Sequence, residues 1–179
     1  PQDWSPEQRE ILASDLDQAQ QDYLEEVLLA QGGVDPRVAE ALRAVPRMRF
    51  VDPDDAANTG LSLPSGEQVG SWSARGLTQG RPMSAPEGAW VATEAQVAWA
   101  AKAARITPGS RVLELGREAG YQAAVLAELG AHVHRVDDST GRLGRLRGLL
   151  AGLSLTVATQ LADPVGGWPD AGPFDAILV

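Results

Sequence analysis

The sequence predicts an α/β protein: a parallel sheet with helices on both faces, preceded by an N-terminal helical segment. Three observations lead there. From residue 112 onward, strand-like and helix-like segments alternate, the pattern of a parallel sheet built from βαβ units. Val112-Leu113-Glu114-Leu115-Gly116 is a short apolar strand running straight into a glycine turn, the place where open α/β sheets bind nucleotides. Asp137 ends the next strand-like segment roughly 20 residues on, where such folds place a carboxylate for ribose hydroxyls.

The elements follow in order. Ser5-Pro6-Glu7-Gln8 combines an N-cap serine, a proline at the first helical position and a glutamine at the third, which starts a helix. Ile11, Leu12, Leu16, Ala19, Tyr23, Val27 and Leu28 recur at helical spacing, and Gly32-Gly33 stops the run. Asp35-Pro36 opens a second helix with Val38, Leu42 and Val45 on one face, ended by Pro46. Residues 53–82 read as a long glycine-punctuated loop with Trp72 inside it, and such loops are usually functional. Residues 86–105 read as one helix with Trp90, Val91, Val97, Ala98 and Ala101 on its apolar face. Strands are expected at 112–115, 131–136, 153–158 and 174–179, with helices at 121–129 and 143–150. The chain divides into a helical segment 1–52, the loop region 53–82 and the sheet-bearing part 83–179, together forming one compact domain.

Composition narrows the function. The formal charge is −9, from 24 acidic and 15 basic side chains. That argues against a nucleic-acid binder, which needs clustered Lys and Arg. No stretch approaches the apolar length of a membrane helix, about 18 residues, so no direct membrane insertion is expected. The chain has no cysteine, which excludes disulfides, a thiolate nucleophile and a cysteine-based zinc site, and fits a cytoplasmic protein. His132 and His134 lie two apart on a strand and so share a face. They lack an apparent third ligand, and no metal site is expected.

Longer motifs sharpen the reading. Residues 112–127 read VLELGREAGYQAAVLA, residues 38–51 read VAEALRAVPRMRFV, Met83-Ser84-Ala85-Pro86 reads MSAP and residues 174–179 read FDAILV. These resemble the protein-L-isoaspartate O-methyltransferase family, the Gly-Tyr-Gln-Ala-Ala at Gly120 to Ala124 being the most specific part. The resemblance covers residues 34–179 and is weakest over 53–82. It implies a Rossmann-like class I methyltransferase fold with S-adenosylmethionine as cofactor, and methyl transfer to an isoaspartyl or aspartyl carboxylate of a protein or peptide.

By the same resemblance, Ser84 would hydrogen-bond the substrate carboxylate, Gly116 would pass under the methionine part of the cofactor, Asp137 would bind its ribose and Asp163 would contact its adenine. Met83, Glu114 and Gly120 would join the cofactor site. Ser84 has a second reading as a helix N-cap ahead of Pro86. Asp138 is expected to be solvated.

Departures from the family pattern support an alternative, a catalytically inactive methyltransferase-fold subunit serving as a binding or assembly module. Glu118 stands at the middle glycine of the turn, where its carboxylate would repel the cofactor's own carboxylate unless Arg117 pairs with it. Ala162-Asp163-Pro164 replaces a Gly-Asp-Gly segment, and proline lacks a backbone N–H. The connector before Met83 is longer than the family's, and Glu87, Gly88 and Ala89 replace the residues usual after Ser-Ala-Pro. The buried-type strand at 176–179 ends the sequence, so the alternative expects a partner chain along that edge.

Overall fold

The computed structural model describes residues 5, 7, 18, 20–22, 24–30, 32–52 and 82–179. The expected helix of the first 28 residues and the glycine-punctuated loop fall largely outside them. Leu24–Leu29 forms a π-helical segment.

Helix α1, Pro36–Ala44, starts where the sequence places it. Asp35 caps it by accepting from Arg37 N, and Val38, Ala39, Ala41 and Leu42 are buried. The region after it departs from expectation. Instead of one helix over 86–105, strands β1 (Met83–Ala85) and β2 (Ala89–Val91) form an antiparallel hairpin. Glu87 at φ 62° and Gly88 at φ 68° are both left-handed, which breaks a helix at that point. Helix α2 begins only at Glu94 and runs to Ala103. Thr93 caps it in a full capping box with Gln96, a start signal present in the sequence as Thr-Glu-Ala-Gln. Trp90 therefore sits on a strand and is 39% exposed rather than on an apolar helix face.

The remainder is a parallel sheet of β3 (Arg111–Leu115), β4 (His132–Asp137), β5 (Ala158–Leu161) and β6 (Ala176–Leu178), in the order β5-β4-β3-β6. Helix α3 (Tyr121–Glu128) joins β3 to β4 and α4 (Thr140–Gly152) joins β4 to β5. Both crossovers step the same way, so right-handedness puts both helices on one face. The third strand lies later than expected. Residues 153–157 are the exit of α4, held by Leu155 N donating to Leu150 O at 2.9 Å.

Strand alternation sorts the side chains. Val112, Val133, Ala176 and Leu178 turn to the helix-covered core, together with Tyr121, Leu126, Leu146 and Phe50. Leu113, His134 and Ile177 are in register with or next to one another on the opposite face. There the β5–β6 connection crosses the sheet, and the His134 ring meets Trp168 and Phe174 edge-on at 5.4 and 5.3 Å. His134 thus serves the sheet face. β6 is an edge strand, with Ile177 59% and Val179 97% exposed. No helix among the described residues is long and apolar enough to cross a membrane.

Candidate functional site

The site lies at the carboxyl ends of β3, β4 and β5. β3 ends in Gly116 at φ 108°, where an added Cβ would meet nothing within 4 Å. The glycine is needed for its backbone angle and leaves open space above the strand. Gly120, at φ 95°, starts α3 and is needed for a different reason: a Cβ there would lie 2.3 Å from Leu146 Cδ1. The turn between them is pinned to the hairpin. Trp90 N donates to Arg117 O at 3.1 Å and Ala119 N to Trp90 O at 2.7 Å.

A cleft opens beside the turn, lined by Asp138, Ser139, Thr140, Leu161, Ala162 and Asp163. Asp163 stands at its wall, its carboxylate accepting from Val165 N at 2.9 Å.

Between turn and cleft sits a buried charge network. Glu114, Arg135 and Asp137 share the helix-covered face, with Glu114 directly opposite Arg135 across the β3–β4 ladder. Arg135 Nη1 donates to Glu114 Oε2 at 2.6 Å, and Nη2 donates to Asp137 Oδ2 at 3.0 Å, to Gly116 O and to Glu118 O. The other Glu114 oxygen accepts from Gln122 Nε2 at 3.1 Å. Glu118 folds inward rather than into the cleft. Its carboxylate accepts from Ala92 N at 3.2 Å and Gly120 N at 2.5 Å, and lies 3.9 Å from Arg135 Nη1. The cation facing Glu118 is therefore Arg135, not the neighbouring Arg117 that the sequence suggested. Burial, reinforced by Glu114, pushes the Glu118 carboxyl up to about 8.

Asp137 has no exposed surface. Burial opposes its ionisation, but hydrogen bonds from Arg142, Ser139 N and Arg135 outweigh this and hold its carboxyl below the usual range. Asp138 is half exposed, as expected, yet it also pairs with Arg142.

The expected site residues thus divide. Glu114, Gly116, Gly120 and Asp137 converge around the turn, and Asp163 faces the same cleft. Met83 and Ser84 sit on β1, the outer strand of the hairpin. Ser84 lies opposite Trp90, and the short 3-10 turn Pro86–Gly88 that follows has Ala85, not Ser84, at its N-cap position. The segment that touches the turn is Trp90 to Ala92. Arg135 and Arg142 were missed by the sequence reading. The signal for Arg135 was its place two residues before Asp137, hence on the same strand face.

Over residues 19–179 the chain matches the family model described as Protein-L-isoaspartate(D-aspartate) O-methyltransferase (PCMT). The chain belongs to this family. Curated relatives agree. A protein-L-isoaspartate O-methyltransferase of Methylorubrum extorquens is 38% identical over 165 residues, covering 92% of this chain and 64% of that protein. One from a Synechococcus strain is 37% identical over 171 residues, covering 93% of this chain and 62% of that protein. The chain therefore spans a little under two thirds of the length of these relatives.

Solved structures show the same fold. A protein-L-isoaspartate O-methyltransferase superposes with a TM-score of 0.65 at 21% identity, over 96% of this chain and 47% of that one. A Plasmodium falciparum protein described as a putative family member in complex with S-adenosyl-L-homocysteine superposes with a TM-score of 0.61 at 15% identity, over 88% of this chain and 71% of that one. The Rossmann-like methyltransferase architecture expected from the sequence is the one found.

The residues present fit an adenosyl cofactor at two places. Gly116 leaves the strand end open, and the Asp138–Asp163 cleft opens at the ends of the two neighbouring strands. At a third place, Asp137, the carboxylate is present but already carries internal hydrogen bonds.

Proposed function

We propose that this chain binds S-adenosylmethionine at the carboxyl ends of β3, β4 and β5 and directs its methyl group to the side-chain carboxylate of an isoaspartyl residue in a protein or peptide. The observation that carries the reading is the open Gly116 turn beside the Asp138–Asp163 cleft, in a chain of this family. Gly116 would pass under the methionine part, Asp163 would contact the adenine and Asp137 the ribose. Met83, Glu114 and Gly120 support the same site, Glu114 by fixing Arg135.

When bound, the cofactor supplies an electrophilic sulfonium methyl. The acceptor carboxylate is already ionised at neutral pH, so it attacks as it stands and no general base is required. A carboxylate oxygen forms the new C–O bond while the methyl–sulfur bond breaks, leaving a methyl ester and a neutral thioether. The protein's contribution is alignment. Ser84, on the exposed side of β1, is the group assigned to orient the carboxylate. A cytoplasmic site of action belongs to the same proposal.

The test is methyl-ester formation from labelled S-adenosylmethionine on a peptide with one isoaspartyl residue, against the same peptide with aspartate. Ester on the isoaspartyl peptide alone supports the reading; no ester on either, with the chain folded, sinks it. Ser84→Ala should lower kcat/KM on the isoaspartyl peptide at least tenfold, the scale of about 1.4 kcal/mol for a lost hydrogen bond to a charged group.

A second reading, a binding module without methyl transfer, draws on one observation: Glu114, Glu118 and Asp137 are all engaged by the protein itself. It adds a partner strand along β6. Light scattering that shows a monodisperse monomer, together with cofactor binding, removes it.

A further inference from the structure

Asp137 is the one carboxylate at the end of β4 placed to take both ribose hydroxyls, and every direction of approach to it is occupied from within. Arg142 Nε lies 3.0 and 3.2 Å from its two oxygens and Arg142 Nη2 lies 2.6 Å from Oδ1. Ser139 N donates to Oδ1 at 2.9 Å and Arg135 Nη2 to Oδ2 at 3.0 Å. An ionised carboxylate has about four acceptor positions, and these donors fill them. A ribose can bind only if a donor leaves.

The three donors differ in freedom. Ser139 N is backbone at the start of α4. Arg135 is buried and committed to Glu114 and two carbonyls. Arg142 reaches the surface, with its side chain 11% exposed, and the same Nη2 already donates to the half-exposed Asp138. It can release Asp137 while remaining paired with a carboxylate. A guanidinium fork on a carboxylate also has the bidentate shape of two adjacent hydroxyl donors.

A strap holds Arg142 in place. The β1–β2 turn lies against the first turn of α4. Arg142 Nη1 donates to Glu87 O at 3.2 Å and Ser139 Oγ donates to Glu87 Oε2 at 2.5 Å. Glu87 keeps a left-handed φ of 62°, a conformation that costs a non-glycine residue energy and persists only where contacts impose it.

We infer that Arg142 is an internal placeholder for the ribose diol: it occupies Asp137 in the empty protein, the Glu87 turn straps it there, and nucleoside binding requires it to swing to Asp138. The inference rests on the cofactor reading above and adds that the affinity of the site is set by a residue outside the expected set. Binding then falls by the fraction of molecules in which Arg142 has released Asp137. Because the strap belongs to the hairpin that carries Ser84, release also frees the segment beside the acceptor.

The experiment is calorimetric titration of the wild-type chain, Arg142→Ala and Glu87→Gly with S-adenosylhomocysteine and, separately, with adenine, each sample checked for folding by circular dichroism. Arg142→Ala should bind S-adenosylhomocysteine about tenfold tighter, the gain expected if release is populated near one part in ten. Adenine has no ribose and should bind all three proteins alike. Glu87→Gly removes only the bond from Ser139 Oγ to the Glu87 carboxylate, keeps Glu87 O on Arg142 and every bond to Asp137, and should change S-adenosylhomocysteine binding less than Arg142→Ala does. If Arg142→Ala binds S-adenosylhomocysteine no better than wild type, or worse, the placeholder is overturned while the cofactor reading stands. A gain for adenine equal to that for S-adenosylhomocysteine also overturns it, since the cleft would then simply have been widened. No binding of S-adenosylhomocysteine by any of the three removes the cofactor reading and this inference together.

Discussion

Two arginines, Arg135 on β4 and Arg142 in the first turn of α4, meet the same aspartate and belong to different kinds of structure. Arg135 is sealed in the core with Glu114, Glu118 and Asp137, and it joins the strand end to the glycine turn through Gly116 O and Glu118 O. Arg142 grips Asp137 from the rim and shares itself with Asp138 and the Glu87 turn. The inner cation is framework: moving it would leave Glu114 and Glu118 buried without a countercharge. The outer cation can exchange one carboxylate for another. Charge and chemistry are identical in the two residues, so the difference comes from burial and from the partners each one holds.

The largest effect that would test this contrast is removal of the inner cation. Arg135→Met keeps length and apolar volume but leaves Glu114 and Asp137 without their shared guanidinium. Breaking a buried pair from one side costs about 3–5 kcal/mol, and urea unfolding should show a loss of that size. Arg142→Ala should lose far less by the same measurement, since Ser139 N and Arg135 remain on Asp137. Equal losses would mean that both arginines are framework.

The sequence showed more of the fold than of this network, for physical reasons. β3, α3, β4 and α4 repeat a pattern in which apolar spacing and a glycine turn agree, and they stand within a few residues of their expected bounds. Residues 86–91, the turn and second strand of the hairpin, were misread as the start of a helix because their apolar residues fit either period, while the break depends on Glu87 adopting a left-handed angle that no composition rule announces. Gly116 and Asp137 stood out in the sequence by their strand-end positions, whereas Glu114 and Gly120 entered only through the family resemblance. Arg142 was not legible, since its role depends on a side chain folding back five residues onto Asp137. Glu118 was singled out correctly as unusual, but its direction was missed: the chain's own amides at Ala92 and Gly120 draw the carboxylate inward.

The glycine turn gives a smaller test. Gly120→Ala would set a methyl 2.3 Å from Leu146 Cδ1 at a left-handed φ. Overpacking of this kind costs about 1–3 kcal/mol, visible as a fall in urea midpoint. Gly116→Ala meets no neighbour, so it should pay only for its backbone angle and be the milder variant in stability. It should be the harsher one in S-adenosylhomocysteine binding. A reversal of that order would move the ligand away from Gly116.

Glu118 links the inner cluster to pH. Its carboxyl is raised from 4.5 to about 8 in the folded protein, first by burial and then by Glu114. A carboxyl raised on folding favours the folded state while protonated, so its contribution is complete below about 4.5 and is lost as pH rises through about 8. Thermal melts from pH 5 to 9 should therefore show a declining component that Glu118→Gln abolishes. Asp137 acts with the opposite sign. Its carboxyl is lowered, so its contribution is present above the ordinary aspartate range and disappears in acid, outside this window. If Glu118→Gln retains the wild-type slope between pH 5 and 9, the titrating group lies elsewhere.

The smallest effect belongs at the outermost contact. Asp138 has a side chain 52% exposed, and its pairing with Arg142 is screened by water on one side. Exposed pairs of this kind contribute about 0–1 kcal/mol, so Asp138→Asn should barely move the urea midpoint. Its value to the contrast lies in ligand binding. Asp138 is the carboxylate to which a displaced Arg142 would turn, so neutralising it makes release less favourable. Asp138→Asn should thus weaken S-adenosylhomocysteine binding while leaving stability nearly unchanged, and it should have no such effect once Arg142 is alanine. Weakening of equal size in both backgrounds would mean that Asp138 touches the ligand itself, and the rim would then be binding surface rather than a resting place for the outer arginine.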